Sequence, residues 1–121
     1  MRYMLLIYGC DRPEIDSSAG EAKRAAVRDY FELLEKRGVL LSGEPLRDQA
    51  TATTVRVRGG EAMVTDGPFA ETVEQLGGYF LLDCEDEAEA VELATRCPMA
   101  AEGSVEVRPI MEIPYAVPAR R

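Results

Sequence analysis

Short apolar runs and amphipathic stretches alternate along the chain, and this alternation predicts its secondary structure. The runs YMLLIY at 3–8 and YFLLD at 79–83 are typical of buried central strands. Between residues 18 and 37 apolar side chains recur at helical spacing, and Ser18 with Glu21 forms the signal of a helix start. The apolar stripe of this predicted helix consists of Val27, Tyr30, Phe31 and Leu34. The pattern therefore predicts two central strands with one long amphipathic helix between them.

Weaker signals predict the other elements. These are strands at 39–46, 51–58 and 61–65, a helix that follows residue 86 and ends before Pro98, and a last strand near 105–109. The pair Gly59-Gly60 between two alternating stretches indicates a tight hairpin, because glycine adopts positive φ freely. The resulting order, β-α-β-β-β-β-α-β, indicates an α+β fold of the ferredoxin-like split βαβ type with an extra β-hairpin.

The first predicted strand is apolar on both of its faces. One face carries Tyr3, Leu5 and Ile7, and the other carries Met4, Leu6 and Tyr8. In a ferredoxin-like layout both helices cover the same face of the sheet, so the second apolar face needs cover from outside the chain. We therefore expect a homodimer in which two sheets face each other, as in a dimeric α/β-barrel assembly.

Composition narrows the chemistry that this chain can perform. Its 121 residues are the ordinary size of one domain, and 14 basic against 22 acidic residues give a net charge of −8. This acidic balance argues against nucleic-acid binding, which needs a basic face. The chain contains no histidine, so its own residues cannot build a Ser-His-Asp triad, a Cys-His pair or a His-ligated zinc site.

The location and the cofactors of the protein are also constrained by the sequence. No apolar run is long enough to span a bilayer, and the first residues are more typical of a strand than of a signal peptide. The three cysteines, Cys10, Cys84 and Cys97, fit reduced thiols in a cytoplasmic protein better than a disulfide framework. Because metal-binding motifs and phosphate-binding glycine loops are absent from the sequence, we expect neither a metal nor a cofactor.

Several stretches together resemble one known family. They are MRYMLLIYG at 1–9, GVLLSGEPL at 38–46, TATTVRVRGGE at 51–61, VTDGPFAETVEQLGGYFLLD at 64–83 and RCPMAAEGSVEVRPIMEI at 96–113. In this order and spacing they resemble the YCII-related family, in its longer branch marked by the Asp-Gly-Pro-Phe motif. The resemblance implies a single ferredoxin-like domain over residues 1–113 that dimerises through its sheets. Residues 114–121, with two prolines, are then expected to form a loose tail.

The family resemblance implies two different kinds of function. Its short members are enzymes with a His-Asp pair in a cleft between sheet and helix, and some of them act on chlorinated aromatic compounds. Their histidine corresponds to a position near Val27 here, so that acid–base chemistry does not carry over. Members of the longer branch are often encoded beside extracytoplasmic-function sigma factors. This implies the alternative of a regulatory or interaction module, although the charge of −8 argues against direct DNA contact.

The segment Asp66-Gly67-Pro68-Phe69 is the most distinctive candidate site. As a catalytic site, the rigid turn would hold the Asp66 carboxylate at the mouth of a pocket, where it acts as a base or orients a substrate. As a structural feature, Asp66 would bind the turn backbone while Phe69 fills the core. We favour the structural interpretation, because turns of this composition form without any ligand.

Six other assignments complete the candidate site, and each has a structural alternative. The ligand-binding candidates are Tyr8, Glu44, Pro68, Phe69, Tyr79 and Arg108. A phenol can donate to an oxyanion and an arginine can bind a carboxylate, but core packing and cross-strand ion pairs explain the same residues. The first functional hypothesis is therefore a protein that binds a small organic molecule, with lyase- or isomerase-type catalysis through Asp66. The second is the non-catalytic regulatory or interaction module.

Overall fold

The computed structural model describes residues 1–9, 18–70 and 72–115. Its strands are β1 (Arg2–Gly9), β2 (Leu40–Pro45), β3 (Thr53–Arg58), β4 (Glu61–Asp66), β5 (Gln75–Asp83) and β6 (Ser104–Pro109). Its helices are α1 (Ser18–Lys36) and α2 (Glu87–Arg96), and two 3₁₀ turns span Gln49–Thr51 and Pro98–Ala101. The predicted order of elements is confirmed. Cys10 and residues 116–121 of the predicted tail lie outside the described residues.

Four strands form an antiparallel sheet in the order β2-β5-β1-β6. The two densest apolar runs, β1 and β5, occupy its centre, as their composition predicts. Each helix connects two strands that have another strand between them, which is the split βαβ arrangement of a ferredoxin-like α+β fold. The predicted fold class is therefore confirmed.

The core lies between this sheet and one face of each helix. Leu5 on β1 is directly opposite Phe80 on β5, and the ring of Phe80 meets the ring of Tyr30 on α1 edge-on, with 5.2 Å between centroids. Leu34 on α1 and Leu93 on α2 are fully buried against the same layer. Both helices thus cover one face of the sheet, as the ferredoxin-like layout predicts.

The opposite face of the sheet, which we call the open face, carries Met4, Leu6 and Leu81. Met4 is opposite Leu81 in the strand register, and all three side chains are only partly buried. The polar neighbours Glu106 and Arg108 on β6 are opposite Leu6 and Met4 on this face. The first strand is therefore apolar on both faces, and the helices cover only one of them.

β3 and β4 form a separate two-stranded sheet. The turn between them is made by Gly59 and Gly60, with φ of +57° and +80°, and these values confirm the tight hairpin predicted from the glycine pair. Val55, Val57 and Val64 share one face of this hairpin, and between 59% and 64% of each side chain is exposed. The hairpin is therefore a second apolar surface that residues 1–9, 18–70 and 72–115 leave exposed.

Two expectations about local structure are wrong. β5 begins at Gln75, not at Tyr79, because the chain already pairs with β1 and β2 through Gly77-Gly78. A side chain at Gly78 would place its Cβ 2.9 Å from the carbonyl oxygen of Glu44, so glycine permits a close strand approach here rather than a turn. Phe69 does not fill the core: it is 76% exposed, and its ring lies 6.0 Å from the guanidinium carbon of Arg56.

Candidate functional site

A cleft of about 630 Å³ opens between α1 and the sheet, at the end where β1 finishes and β5 begins. Its floor is apolar and includes Val27 and Phe31 from α1 with Ile7 and Phe80 from the two central strands. The rings of Phe31 and Phe80 are tilted against each other with 5.0 Å between their centroids. Cavities of this size with an apolar lining are typical sites for small organic ligands.

The apolar floor is a continuation of the helix stripe that builds the core. Tyr30 and Leu34 are buried under the sheet, whereas Val27 and Phe31 are only partly buried and face the cleft. Gly43 lets the two phenylalanine rings lie close to β2, because a Cβ there would be 2.8 Å from Phe80 Cδ1. The sequence periodicity therefore predicts an apolar stripe, but it does not separate core positions from cleft positions.

One wall of the cleft is formed by close backbone contacts at glycines. A Cβ on Gly103 would lie 2.0 Å from the carbonyl oxygen of Tyr8, an approach that only glycine allows. Gly103, Gly77 and Gly78 all line the cleft. These positions keep side-chain volume out of that wall, which leaves room between the strand ends and α1.

Three predicted ligand-binding residues line the cleft together: Tyr8, Glu44 and Tyr79. Glu44 on β2 is opposite Tyr79 on β5, so strand register alone brings them side by side. The Tyr79 hydroxyl is 3.1 Å from Ser42 Oγ, close enough for a hydrogen bond. By strand register, however, Glu44 and Tyr79 share the open face with Leu6, whereas the aromatic floor belongs to the helix-covered face that carries Phe80.

The Asp-Gly-Pro-Phe segment lies beside the cleft rather than inside it. Asp66 ends β4 and is exposed, and it is not among the cleft residues. The turn is held by its backbone, since the Gly67 N–H donates to the Ala52 carbonyl at 2.7 Å. Pro68 lines a smaller hollow of about 340 Å³, and that hollow shares Asp48 and Gln49 with the cleft. The segment therefore borders the cleft through the first 3₁₀ turn.

The remaining candidates are placed elsewhere. Arg108 lies on the open face of the sheet, where it is opposite Met4, and Phe69 is exposed beside the hairpin. Neither residue lines the cleft of its own chain. The structure therefore brings together the strand-end tyrosines and Glu44 but separates them from Asp66, Phe69 and Arg108.

Sequence reasoning missed three polar residues near the cleft. Lys23 on α1 forms an ion pair with Glu102, which precedes β6, and both residues line the cleft. Glu74, just before β5, has one carboxylate oxygen that is buried without a hydrogen-bond partner, while its other oxygen accepts from Ser104 at 3.3 Å. Lys23 and Glu102 are 79 positions apart, so no local pattern could have paired them.

The buried cysteines have no features of reactive thiols. Burial raises the pKa of Cys84 to about 11, and the nearby Glu89 acts in the same direction. Burial also raises the pKa of Cys97. Both thiols therefore stay protonated at neutral pH, and within the described ranges both are free. Those same ranges contain no group of three or more Cys, Asp or Glu side chains placed to hold a metal ion.

The fold and the cleft define a class of small ferredoxin-like α+β proteins with a pocket between sheet and helix. The YCII-related domain family matches residues 1–114, and this chain belongs to that family. The chain is also 36% identical over 115 residues to "Uncharacterized protein R00369" of Rhizobium meliloti strain 1021, which covers 91% of this chain and 92% of that protein. No helix among the described residues is both long and apolar enough to cross a membrane.

A solved structure shares the fold at low sequence identity. It is 5-chloro-2-hydroxyhydroquinone dehydrochlorinase (TftG) from Burkholderia phenoliruptrix AC1100, in complex with 2,5-dihydroxybenzoquinone. The two chains are 17% identical, with coverage of 92% of this chain and 94% of the other, and the TM-score is 0.50. At that identity the likeness supports the ferredoxin-like fold and no shared chemistry.

Proposed function

We propose that this protein binds a small aromatic molecule in the cleft between α1 and the sheet. The observation that carries the proposal is the apolar floor of the cleft, where Val27 and Phe31 are partly exposed and Phe80 is buried, next to the charged groups of Lys23 and Glu102. A flat ring would cover this floor while its substituents reach the polar border. The neighbour with the same fold was solved with a dihydroxybenzoquinone, which is a ligand of this kind.

A lyase or isomerase reaction would need an acid–base group, and this chain offers carboxylates in place of histidine. Glu44 is among the cleft residues and Asp66 is not, but strand register places Glu44 on the open face together with Tyr79 and Leu6. Asp66 would act on such a ligand from the hairpin of a second copy or after movement of its own turn. The geometry of one chain therefore favours ligand binding over catalysis by Asp66, and that catalytic role stays a prediction.

Ligand binding is tested by a thermal-shift assay in which the cleft is occupied either by an aromatic compound or by a bulky side chain. We expect 2,5-dihydroxybenzoquinone or a related hydroxylated or carboxylated aromatic compound to raise the melting temperature, because a ligand that binds only the folded state stabilises it. Val27→Trp should abolish this rise, since the indole occupies the floor. The matched control is Val91→Trp, which changes the same residue type on the exposed side of α2. An equal ligand-induced rise in Val27→Trp and in the control would refute the proposed site.

We also propose that two copies assemble through the uncovered apolar surfaces. The open face of the sheet and the valine face of the hairpin both need cover, and an isolated two-stranded hairpin is marginal in water. A second copy supplies matching apolar surface for both. Val55→Glu should therefore shift the protein from dimer to monomer in light scattering, whereas Val91→Glu should not. A wild-type monomer at micromolar concentration would contradict the proposal.

The finer assignments follow the sequence resemblance. We place the chain in the branch with the Asp-Gly-Pro-Phe motif because residues 66–69 carry that motif in full. A cytoplasmic location and an association with an extracytoplasmic-function sigma factor stay predictions from the same resemblance. The measured interaction of the purified protein with such a sigma factor would test the regulatory alternative directly.

A further inference from the structure

An ion pair joins the two sides of one end of the cleft. Lys23 lies early in α1, and Glu102 lies in the turn between the second 3₁₀ turn and β6. Among the described residues that line the cleft, Lys23 carries the one positive charge. The pair therefore marks a polar end of an otherwise apolar floor.

The two partners differ in how firmly the cleft holds them. Lys23 is one helical turn before Val27, so its aliphatic stem lies on the same face of α1 as the apolar floor. Its side chain is 38% exposed, whereas the side chain of Glu102 is 61% exposed. Ion pairs this open to water contribute little to stability, because solvation competes with the partner. Glu102 can therefore turn into solvent while the Lys23 ammonium stays at the cleft.

The acidic residues at the other end of the cleft lie too far away to neutralise Lys23. Glu44 and Asp48 are on and after β2, at one edge of the sheet, and Glu102 is next to β6 at the opposite edge. Three strand spacings separate these edges, which is roughly 14 Å. This distance exceeds the screening length of about 8 Å at physiological salt. Beside β6, the cleft residues that carry charge are therefore Lys23 and Glu102, and the carboxylate of Glu74 lies against Ser104 at the start of that strand.

We propose that Lys23 determines the specificity of the cleft by binding an anionic oxygen of the ligand, a carboxylate or a phenolate, in place of Glu102. This inference rests on the proposed ligand-binding function and names its ligand class. The ring of the ligand lies on Val27, Phe31 and Phe80, and its charged oxygen accepts a hydrogen bond from the ammonium. Charge-assisted hydrogen bonds of this kind are stronger than neutral ones, so an uncharged analogue binds more weakly.

The test compares benzoate with benzamide, which has nearly the same shape but no charge, by calorimetric titration. Wild-type protein should bind benzoate about tenfold more tightly than benzamide. Lys23→Met keeps the length of the stem and removes the charge, so it should abolish this preference while affinity for benzamide stays the same. Glu102→Gln should tighten benzoate binding, because it removes the competing carboxylate. Lys36→Met, on an exposed position in the last turn of α1, is the matched control and should change neither affinity.

The outcomes separate this inference from the function on which it rests. Binding of both probes with equal affinity in wild type and in Lys23→Met would overturn the role of Lys23 and leave the cleft as a ligand site. Weaker benzoate binding in Glu102→Gln would also overturn it, since Glu102 would then support the ligand instead of competing with it. Absence of binding of both probes to wild type would overturn the specificity inference together with the proposed aromatic ligand.

Discussion

Replacement of Tyr30 by phenylalanine tests how the two helices are held together. The Tyr30 hydroxyl on α1 donates a buried hydrogen bond of 2.6 Å to the carbonyl oxygen of Leu93 on α2. That carbonyl is near the end of α2, where the Cys97 N–H that would ordinarily reach it donates to Ala94 at 3.1 Å instead. Tyr30 therefore satisfies a carbonyl group that the last turn of its own helix leaves open.

The expected cost of Tyr30→Phe follows from this geometry. The ring and its edge-on contact with Phe80 remain, so the variant removes the hydroxyl without opening a large cavity. A buried carbonyl that loses its donor costs about 1–3 kcal/mol. For a domain of this size, about 2 kcal/mol lowers the melting temperature by roughly 8 °C. Calorimetry and urea unfolding at pH 7 measure both quantities.

The pH dependence gives a second, independent measurement of the same hydroxyl. Burial raises the pKa of Tyr30 well above its usual value of 10.0, and the nearby Cys97 and Cys84 act in the same direction. The phenol therefore favours the folded state fully below pH 10.0, and this contribution is lost as the pH rises further. The difference in stability between wild type and Tyr30→Phe should accordingly narrow above pH 10.0.

A second tyrosine, Tyr79, offers a matched variant with a less buried hydroxyl. Tyr79→Phe removes a hydroxyl from a partly buried hydrogen bond with Ser42, where water can replace it, so its cost should stay below about 1 kcal/mol. Equal melting temperatures for wild type and Tyr30→Phe would refute the view that this hydroxyl satisfies the Leu93 carbonyl. Equal losses of stability in Tyr30→Phe and Tyr79→Phe would refute the view that burial sets the cost of removing the hydroxyl.

Two further predictions concern backbone packing and thiol burial. Gly103→Ala should prevent recovery of folded protein, because its Cβ would meet the Tyr8 carbonyl oxygen at 2.0 Å, whereas Gly9→Ala, with no atom within 4 Å of its Cβ, should fold normally by circular dichroism. Wild type should lose stability between about pH 9 and pH 11, because burial raises the pKa of Cys84 from 9.0 to about 11 and the folded state disfavours the thiolate. Urea unfolding should show that Cys84→Ala loses less stability than wild type over the same pH range. An identical loss in both proteins would contradict the role of the Cys84 thiol.

The predictable part of the fold is the part that local patterns encode. The dense run of β1 is central in the sheet, the stripe with Tyr30 and Leu34 is buried, and Gly59-Gly60 makes the hairpin turn. The apolar run at 79–83 predicts only the later part of β5, because the glycine pair Gly77-Gly78 before it carries no apolar signal. Here the pair continues β5, and the reason is a long-range contact between Gly78 and the Glu44 backbone. Whether a glycine turns the chain or admits a neighbouring strand depends on partners that the local sequence does not contain.

The sequence predicts the neighbours of a candidate site residue only where strand pairing determines them. Glu44 lies near the end of β2 and Tyr79 lies within β5, and antiparallel pairing of the two strands places them opposite each other. Phe69 was misplaced because an aromatic residue after a tight turn is usually buried, whereas this one follows a hairpin that leaves the body of the domain. Lys23 and Glu102 were missed because they lie far apart in the sequence. They come together only when both helical crossovers of the fold are in place.

The absence of histidine has a clearer meaning once the cleft is located. The family resemblance predicts the histidine of the shorter relatives near Val27, and this apolar residue lies on the cleft floor. Among the cleft residues of α1, the charged one is Lys23, which helical geometry places one turn before Val27. If Glu102 turns into solvent, the apolar floor beside the Lys23 ammonium suits the anionic aromatic ligand that we propose. A proton-transfer reaction would need a carboxylate at the border of the cleft as its base. Because the floor favours binding and carries no base, measurements of ligand affinity test the function more directly than assays of catalytic turnover.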